Sequence, residues 1–277
     1  MKKLLWLFPV LLLGSCNPGK DSNVEFKVAY KPDCVYNQIM NEKTRMESKY
    51  DASPAMLQTL KNKGIENPSK KENEMSVLVV LKTGKLGPQN TFPFTMEYLK
   101  TTSKDGKKEI PDSTMFYGTD TIGKVPRIDS MTTPGEVNDF LKSSLISSVQ
   151  NMLQESCGPE KTLKPGEQFT SEAPMNMNMG GIKLQMIITT TYKLKSIDAA
   201  TATFDISQVY SLNSTISDHT FKAEGEGKGK LVYDLKDNYY RNYNVNMVLG
   251  LSMDIGGLYA EINTESNIDI QTTLVQN

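Results

Sequence analysis

Apolar and polar residues alternate over long stretches of the C-terminal half. From Lys183 onward Leu184, Met186, Ile188, Tyr192 and Leu194 are apolar, while Lys183, Gln185, Thr189, Thr191 and Lys193 are polar. Strand side chains point alternately to two faces, so this two-residue period predicts a strand buried on one side. A turn at 196–200 (SIDAA) leads into a second such strand, with Ala202, Phe204, Ile206, Tyr210 and Leu212 on one face and Thr203, Asp205 and Ser207 on the other. Tyr243, Val245, Met247, Leu249, Leu251 and Met253 repeat the pattern, as do Leu258, Ala260, Ile262, Ile268, Ile270 and Leu274. The C-terminal half is thus predicted to be a meander of long, one-sided strands.

The N-terminal half is less regular. Residues 24–30, 35–50, 74–81 and 91–101 read as strands, the last followed by the turn signal Lys104-Asp105-Gly106-Lys107. The polar run 67–73 reads as a solvated loop. Between the halves lies one clear helix, predicted over 134–156. Thr133 would cap it, Pro134 suits its first turn, Glu136 completes a T-x-x-E box, and Gly158-Pro159 stops it. Its apolar stripe would be Val137, Phe140, Leu141, Leu145, Val149 and Met152. A shorter helix, 54–63, is capped by Ser53 and closed by Gly64. The expected fold is mainly β: a long antiparallel curved sheet or half-barrel carrying one central amphipathic helix and one short helix (α+β), as a single domain over 24–277.

The first residues change the picture of where this domain sits. Met1-Lys2-Lys3 precedes an apolar run, Leu4 to Leu13, too short to span a bilayer as a stable helix. This is the pattern of a secretory signal peptide, residues 1–15, and its end, Leu13-Gly14-Ser15-Cys16, resembles the bacterial lipobox. That resemblance implies cleavage before Cys16 and acylation of Cys16, which would then anchor the chain to a membrane. Residues 16–23 would be the lipidated cysteine and a polar tether (NPGKDSN). Losing fifteen residues and two lysines of the 277 leaves 262 residues and a formal charge near −3, which gives no sign of nucleic-acid binding. Cys34 and Cys157 remain in a compartment where disulfides persist, either as a disulfide or as two separate buried thiols.

Catalytic patterns are sparse. The single histidine, His219, lies in Ser217-Asp218-His219, and adjacency in sequence says nothing about a triad assembled in space. There is no G-x-S-x-G, HExxH or EF-hand loop, so no catalytic residue, metal or cofactor is assigned. Gly225-Glu226-Gly227-Lys228-Gly229-Lys230 lacks the spacing of a phosphate-binding loop and reads as a turn or bulged hairpin. Met175, Met177 and Met179 alternate and would share one side of an extended segment. They suit either a soft Cu(I) site or, as the methionines elsewhere do, the continuation of an apolar face. The only tryptophan, Trp6, leaves with the leader, which weakens any glycan platform, although Tyr233, Tyr239, Tyr240 and Tyr243 could pack or stack.

The lipobox, the tether, the long strands, the central helix and the strand Thr189-Thr190-Thr191-Tyr192-Lys193-Leu194 after a Met- and Gly-rich stretch resemble an uncharacterised family of Bacteroidota lipoproteins. In architecture the chain is also similar to the outer-membrane lipoprotein carriers, LolA-like half-barrels whose curved sheet covers an acyl-binding cavity under a helical lid. The resemblance implies a non-enzymatic module at the cell envelope, at the outer membrane facing the periplasm or the surface, that binds an acyl chain or another apolar ligand. The lining residues would be Leu184, Met186, Ile188, Tyr192, Leu249 and Leu251, and the same six residues fit equally well as the packing of a dry core. The alternative is a structural or protein-docking lipoprotein with an envelope protein as partner and no small ligand.

Overall fold

The computed structural model describes residues 23–276 apart from 107, 109, 157–159, 180, 181, 217 and 218, with the backbone alone at 155, 156, 175–179, 182–184, 213–216 and 219. In chain order the elements are β1 (Val24–Phe26), β2 (Cys34–Asp51), α1 (Pro54–Asn62), β3 (Ser69–Thr83), β4 (Thr91–Ser103), β5 (Thr114–Thr121) and β6 (Arg127–Thr132). They continue with α2 (Asp139–Ser156), β7 (Lys161–Leu163), β8 (Gln168–Met179), β9 (Ile182–Ile197), β10 (Thr201–Ile216), β11 (His219–Asp234), β12 (Tyr240–Ile255) and β13 (Leu258–Gln276). The protein is mainly β, as the alternation predicts. Eleven strands form one curved antiparallel sheet in the order β6-β5-β4-β3-β2-β13-β12-β11-β10-β9-β8. Two meanders are therefore joined where the first long strand meets the last, with Cys34 opposite Gln276 and Asp51 opposite Tyr259. Register shifts at Leu78/Val79, Tyr117/Gly118, Thr203/Phe204 and Val232/Tyr233 mark places where twist increases.

One face of this sheet is covered at both sides. Over β2–β6 lies α2, whose Leu145, Val149 and Leu153 are buried with Tyr36, Val77, Val79, Leu81, Phe94, Met96, Phe116 and Met131. Over β8–β12 lies a two-stranded sheet of β1 and β7, with Val24 opposite Leu163. Its Phe26 is fully buried among Phe169, Phe204, Tyr233, Tyr192 and Tyr240, at ring distances of 5.2, 5.0, 5.1, 5.8 and 6.0 Å. After β1 the chain crosses to β2 along the end where β2 begins. The Lys27 N–H donates to Tyr233 Oη (3.2 Å), Ala29 N–H to the Asn238 carbonyl (3.1 Å) and Lys31 N–H to Tyr36 Oη (2.8 Å).

Three expectations are corrected. Helix α2 begins at Asp139 and not at 134, because Gly135 sits at φ +91°, outside helical space. Asn138 does the capping, its Oδ1 accepting from Leu141 N–H (2.8 Å), and the buried stripe is Leu145, Val149 and Leu153, leaving Phe140 76% exposed. The polar run 67–73 is a loop only to Pro68. From Ser69 it is strand, because its charges pair across to β2: Lys70 with Glu47 (3.3 Å), Glu72 with Arg45 (3.1 Å) and Glu74 with Lys43 (2.7 Å). Residues 225–230 form neither a turn nor a bulge but run in regular register in the middle of β11, Gly225 opposite Tyr210 and Gly229 opposite Ile206. The short helix α1 is as expected, with Met56 N–H donating to Ser53 Oγ (3.4 Å) and Gly64 following at φ +74°.

Candidate functional site

On the covered face β2 contributes Tyr36, Gln38, Met40, Glu42, Thr44 and Met46, and β13 contributes Ile262, Thr264, Ser266, Ile268, Ile270 and Leu274, since strand side chains alternate. These two strands lie at the middle of the sheet, between the α2 core and the β1–β7 core. Ile262, Ile268 and Ile270 belong to neither core and are half-buried, and Met40 only flanks the α2 core. The result is a trough: a floor of aliphatic side chains from β2 and β13, walled by α2 on one side and by the strand β12 side chains on the other. The crossing segment 27–31 closes one end.

The β12 wall belongs to a third cluster. Met186, Tyr210, Leu212, Phe221 and Ala223 are buried there, and Ile188, Met247, Leu249, Leu251, Met253 and Ile255 pack on it half-buried. Of the expected lining residues, Met186, Ile188, Leu249 and Leu251 therefore come together. Tyr192 goes elsewhere, stacked on Phe169 at 4.9 Å in the Phe26 core. The Leu184 side chain lies outside the described residues. Leu249 and Leu251 stand opposite Thr264 and Ile262 of the floor strand.

A polar row crosses the apolar face. Register places Thr190, Gln208, Gly227, Met247, Ser266, Thr44 and Asn73 side by side on β9, β10, β11, β12, β13, β2 and β3. Gln208 Nε2 donates to Thr190 Oγ1 and to Tyr243 Oη (both 3.2 Å), and Tyr210 Oη donates to Gln208 Oε1 (2.6 Å). Burial pushes the Tyr210 hydroxyl pKa up, so it stays a donor. Further along the row, Thr44 Oγ1 and Ser266 Oγ both donate to Glu42 Oε1, at 2.9 and 3.0 Å. The glycines of β11 let this row close up. A Cβ on Gly227 would meet Gln208 Oε1 at 2.9 Å, and one on Gly229 would overlap the Asn244 carbonyl oxygen of β12. Sequence reasoning missed Gln208, Glu42 and the glycines as one arrangement, although glycine at every second position is itself a strand-face signal.

The remaining candidates fall as follows. Cys34 is a free, buried thiol whose Sγ–H donates to the Pro32 carbonyl (3.4 Å), and burial pushes its pKa up. Cys157 and Cys16 lie outside the described residues. Met175, Met177 and Met179 stand opposite Met186, Leu184 and Ile182 in register, but their side chains lie outside the described residues. His219 begins β11 opposite Ile216, and its side chain too lies outside them. Among the described residues no three His, Cys, Asp or Glu side chains gather closely enough to hold a metal ion, and no helix is long and apolar enough to cross a membrane.

Fold and trough together define a mainly β protein built on one open, curved antiparallel sheet with two caps on the same face. No protein-family model matches the chain, and no curated protein matches it. Among solved structures it is similar to OpdQ of Pseudomonas aeruginosa, at TM-score 0.24 and 8% identity over 87% of this chain and 98% of that one. It is likewise similar to an outer-membrane channel from Pseudomonas putida F1, at TM-score 0.21 and 6% identity over 90% of this chain and 98% of that one. Likenesses this slight carry no argument about function.

Proposed function

We propose that the protein is a membrane-anchored envelope lipoprotein, tethered through Cys16, that acts without catalysis as a binding module for an acyl chain or another extended apolar ligand. The observation that carries this reading is the trough. A sheet that buries its face tightly under α2 and under β1–β7 leaves Met40, Ile262, Ile268 and Ile270 half-exposed between the two caps, beside Leu249 and Leu251. Removing such aliphatic surface from water is favourable by about 25 cal/mol per Å², so an occupied trough is more stable than an open one. The methionines spread over this face, Met40 and Met46 on β2, Met186 on β9 and Met247 on β12 among them, suit a ligand of variable shape.

Native mass spectrometry of the chain expressed in a bacterial envelope and released gently tests this. A mass excess that is lost on denaturation and matches a lipid is the expected result. A clean apo mass after incubation with envelope lipids would refute the binding reading. It would favour the second one, a protein-docking lipoprotein, for which the outer edge of β8, paired by no described strand, is the specific observation.

A further inference from the structure

From the polar row we infer that the trough selects an amphiphile with a primary ammonium head, held by Glu42. This rests on the acyl-binding reading and adds the class of head group. Glu42 lies on the covered face of β2, half-buried, opposite Ile268 of β13 and Met75 of β3. Its Oε1 is fixed by two hydroxyls, Thr44 at 2.9 Å and Ser266 at 3.0 Å, and Ser266 is only 5% exposed. Its Oε2 has no protein donor among the described residues, and no described cation pairs with it. The neighbouring Lys43 points to the opposite face, where it is 2.7 Å from Glu74. On the covered faces of β9 to β13 every described side chain is uncharged, so on the two floor strands Glu42 is the single charge; the same face of β3 carries the exposed Lys71, two rows away opposite Met46.

A carboxylate partly withdrawn from water and left without a cation is costly, and a ligand cation at Oε2 removes that cost. The open oxygen accepts hydrogen bonds, which a primary ammonium donates and a quaternary one does not. The residues directly beside Glu42, Ile268 on β13 and Met75 on β3, are not aromatic, so these positions supply no ring for the cage that a quaternary head would use. Hydrocarbon attached to that head has Met40, Ile268 and Ile270 to lie on, directly beside the carboxylate. An anionic head would be repelled by the same group.

The test uses native mass spectrometry of the full chain released from non-ionic detergent, with hexadecylamine, hexadecanol and hexadecanoic acid supplied at equal concentration. Hexadecylamine is expected to occupy the chain about tenfold more than either other amphiphile, the scale of one charge-assisted hydrogen bond. Glu42→Gln keeps an acceptor for Thr44 and Ser266 and should bring the three within about twofold, while Glu42→Asp, one methylene shorter, falls between. Glu265→Gln on the opposite face should leave the preference unchanged. Equal occupancy by the three in the unaltered chain, or a preference for the amine that survives Glu42→Gln, overturns the head-group assignment and leaves acyl binding standing. Absence of all three adducts overturns both.

Discussion

Asp120 offers a quantitative test of the packing. It ends the inward row of β5 opposite Phe92, is 3% exposed, and among the described residues has only the backbone N–H of Thr121 as a partner. Burial raises its pKa from 3.8 to about 6, with the Thr121 N–H opposing weakly. The folded state therefore holds a proton that the unfolded chain has already released, so stability falls as pH rises from about 3.8 through about 6 and then stays level. A displacement of about two units costs about 3 kcal/mol in all, of which about 2 kcal/mol accrues between pH 4.5 and 7.5. Asp120→Asn removes the titration and adds a constant cost for its buried amide, so the pH dependence and not the absolute change is diagnostic. Urea unfolding of both proteins across this range should show the variant gaining about 2 kcal/mol relative to the unaltered chain as pH rises. Subtraction cancels the opposite trend from carboxylates held low by their partners, such as Glu74 beside Lys43. A difference between the two proteins that stays flat with pH would refute the argument.

Three further substitutions probe the frame of the site. Phe26→Ala empties the centre of five aromatic rings and should cost about 3 to 5 kcal/mol by denaturant unfolding, with β1 losing hydrogen-exchange protection first. Gly229→Ala sets a Cβ against the backbone oxygen of Asn244 and should cost at least about 2 kcal/mol, whereas Gly250→Ala, with its nearest atom at 3.5 Å, should cost under about 1 kcal/mol. Arg241→Ala strips the partner from Asp234, which is 1% exposed. Burial opposes that carboxyl's charge, yet the Asp237 N–H and the Arg241 guanidinium at 2.5 Å hold its pKa below the usual range. The loss should be about 2 to 3 kcal/mol at pH 7 and should shrink as pH falls through the depressed carboxylate range, where Asp234 takes up a proton.

How much of this was legible depends on whether the pattern was local. Strands β9, β10, β12 and β13 could be read because each carries its own alternation, and α1 because Ser53, Pro54 and Gly64 are all within one short segment. The start of β3 was not legible, because charges at Lys70, Glu72 and Glu74 look like loop until β2 supplies Glu47, Arg45 and Lys43 opposite them. The start of α2 misled because Thr133, Pro134 and Glu136 satisfy a capping rule that the φ of Gly135 forbids from taking effect. The alternating glycines of β11 suggested a turn by composition. Only the partner strands show that their missing side chains make room for Gln208 and for the Asn244 backbone.

The trough itself had no local signature at all. Its floor is made by β2 and β13, the first and last long strands, and pairing Glu42 with Ile268 or Thr44 with Ser266 joins residues more than two hundred positions apart. Of the expected lining only Leu249 and Leu251 of β12 stand beside the floor as its wall, and β9 and β12 were legible because those strands announce their apolar face by themselves. The floor could be placed only once the two meanders met edge to edge, and that meeting also sets Glu42 beside the hydroxyls of Thr44 and Ser266. The same contact therefore joins the sheet and brings together the trough's aliphatic floor and its single carboxylate. A change that shifted β2 by one residue against β13 would turn Glu42 to the opposite face and bring Lys43 into the trough, reversing the sign of the charge that an amphiphile meets.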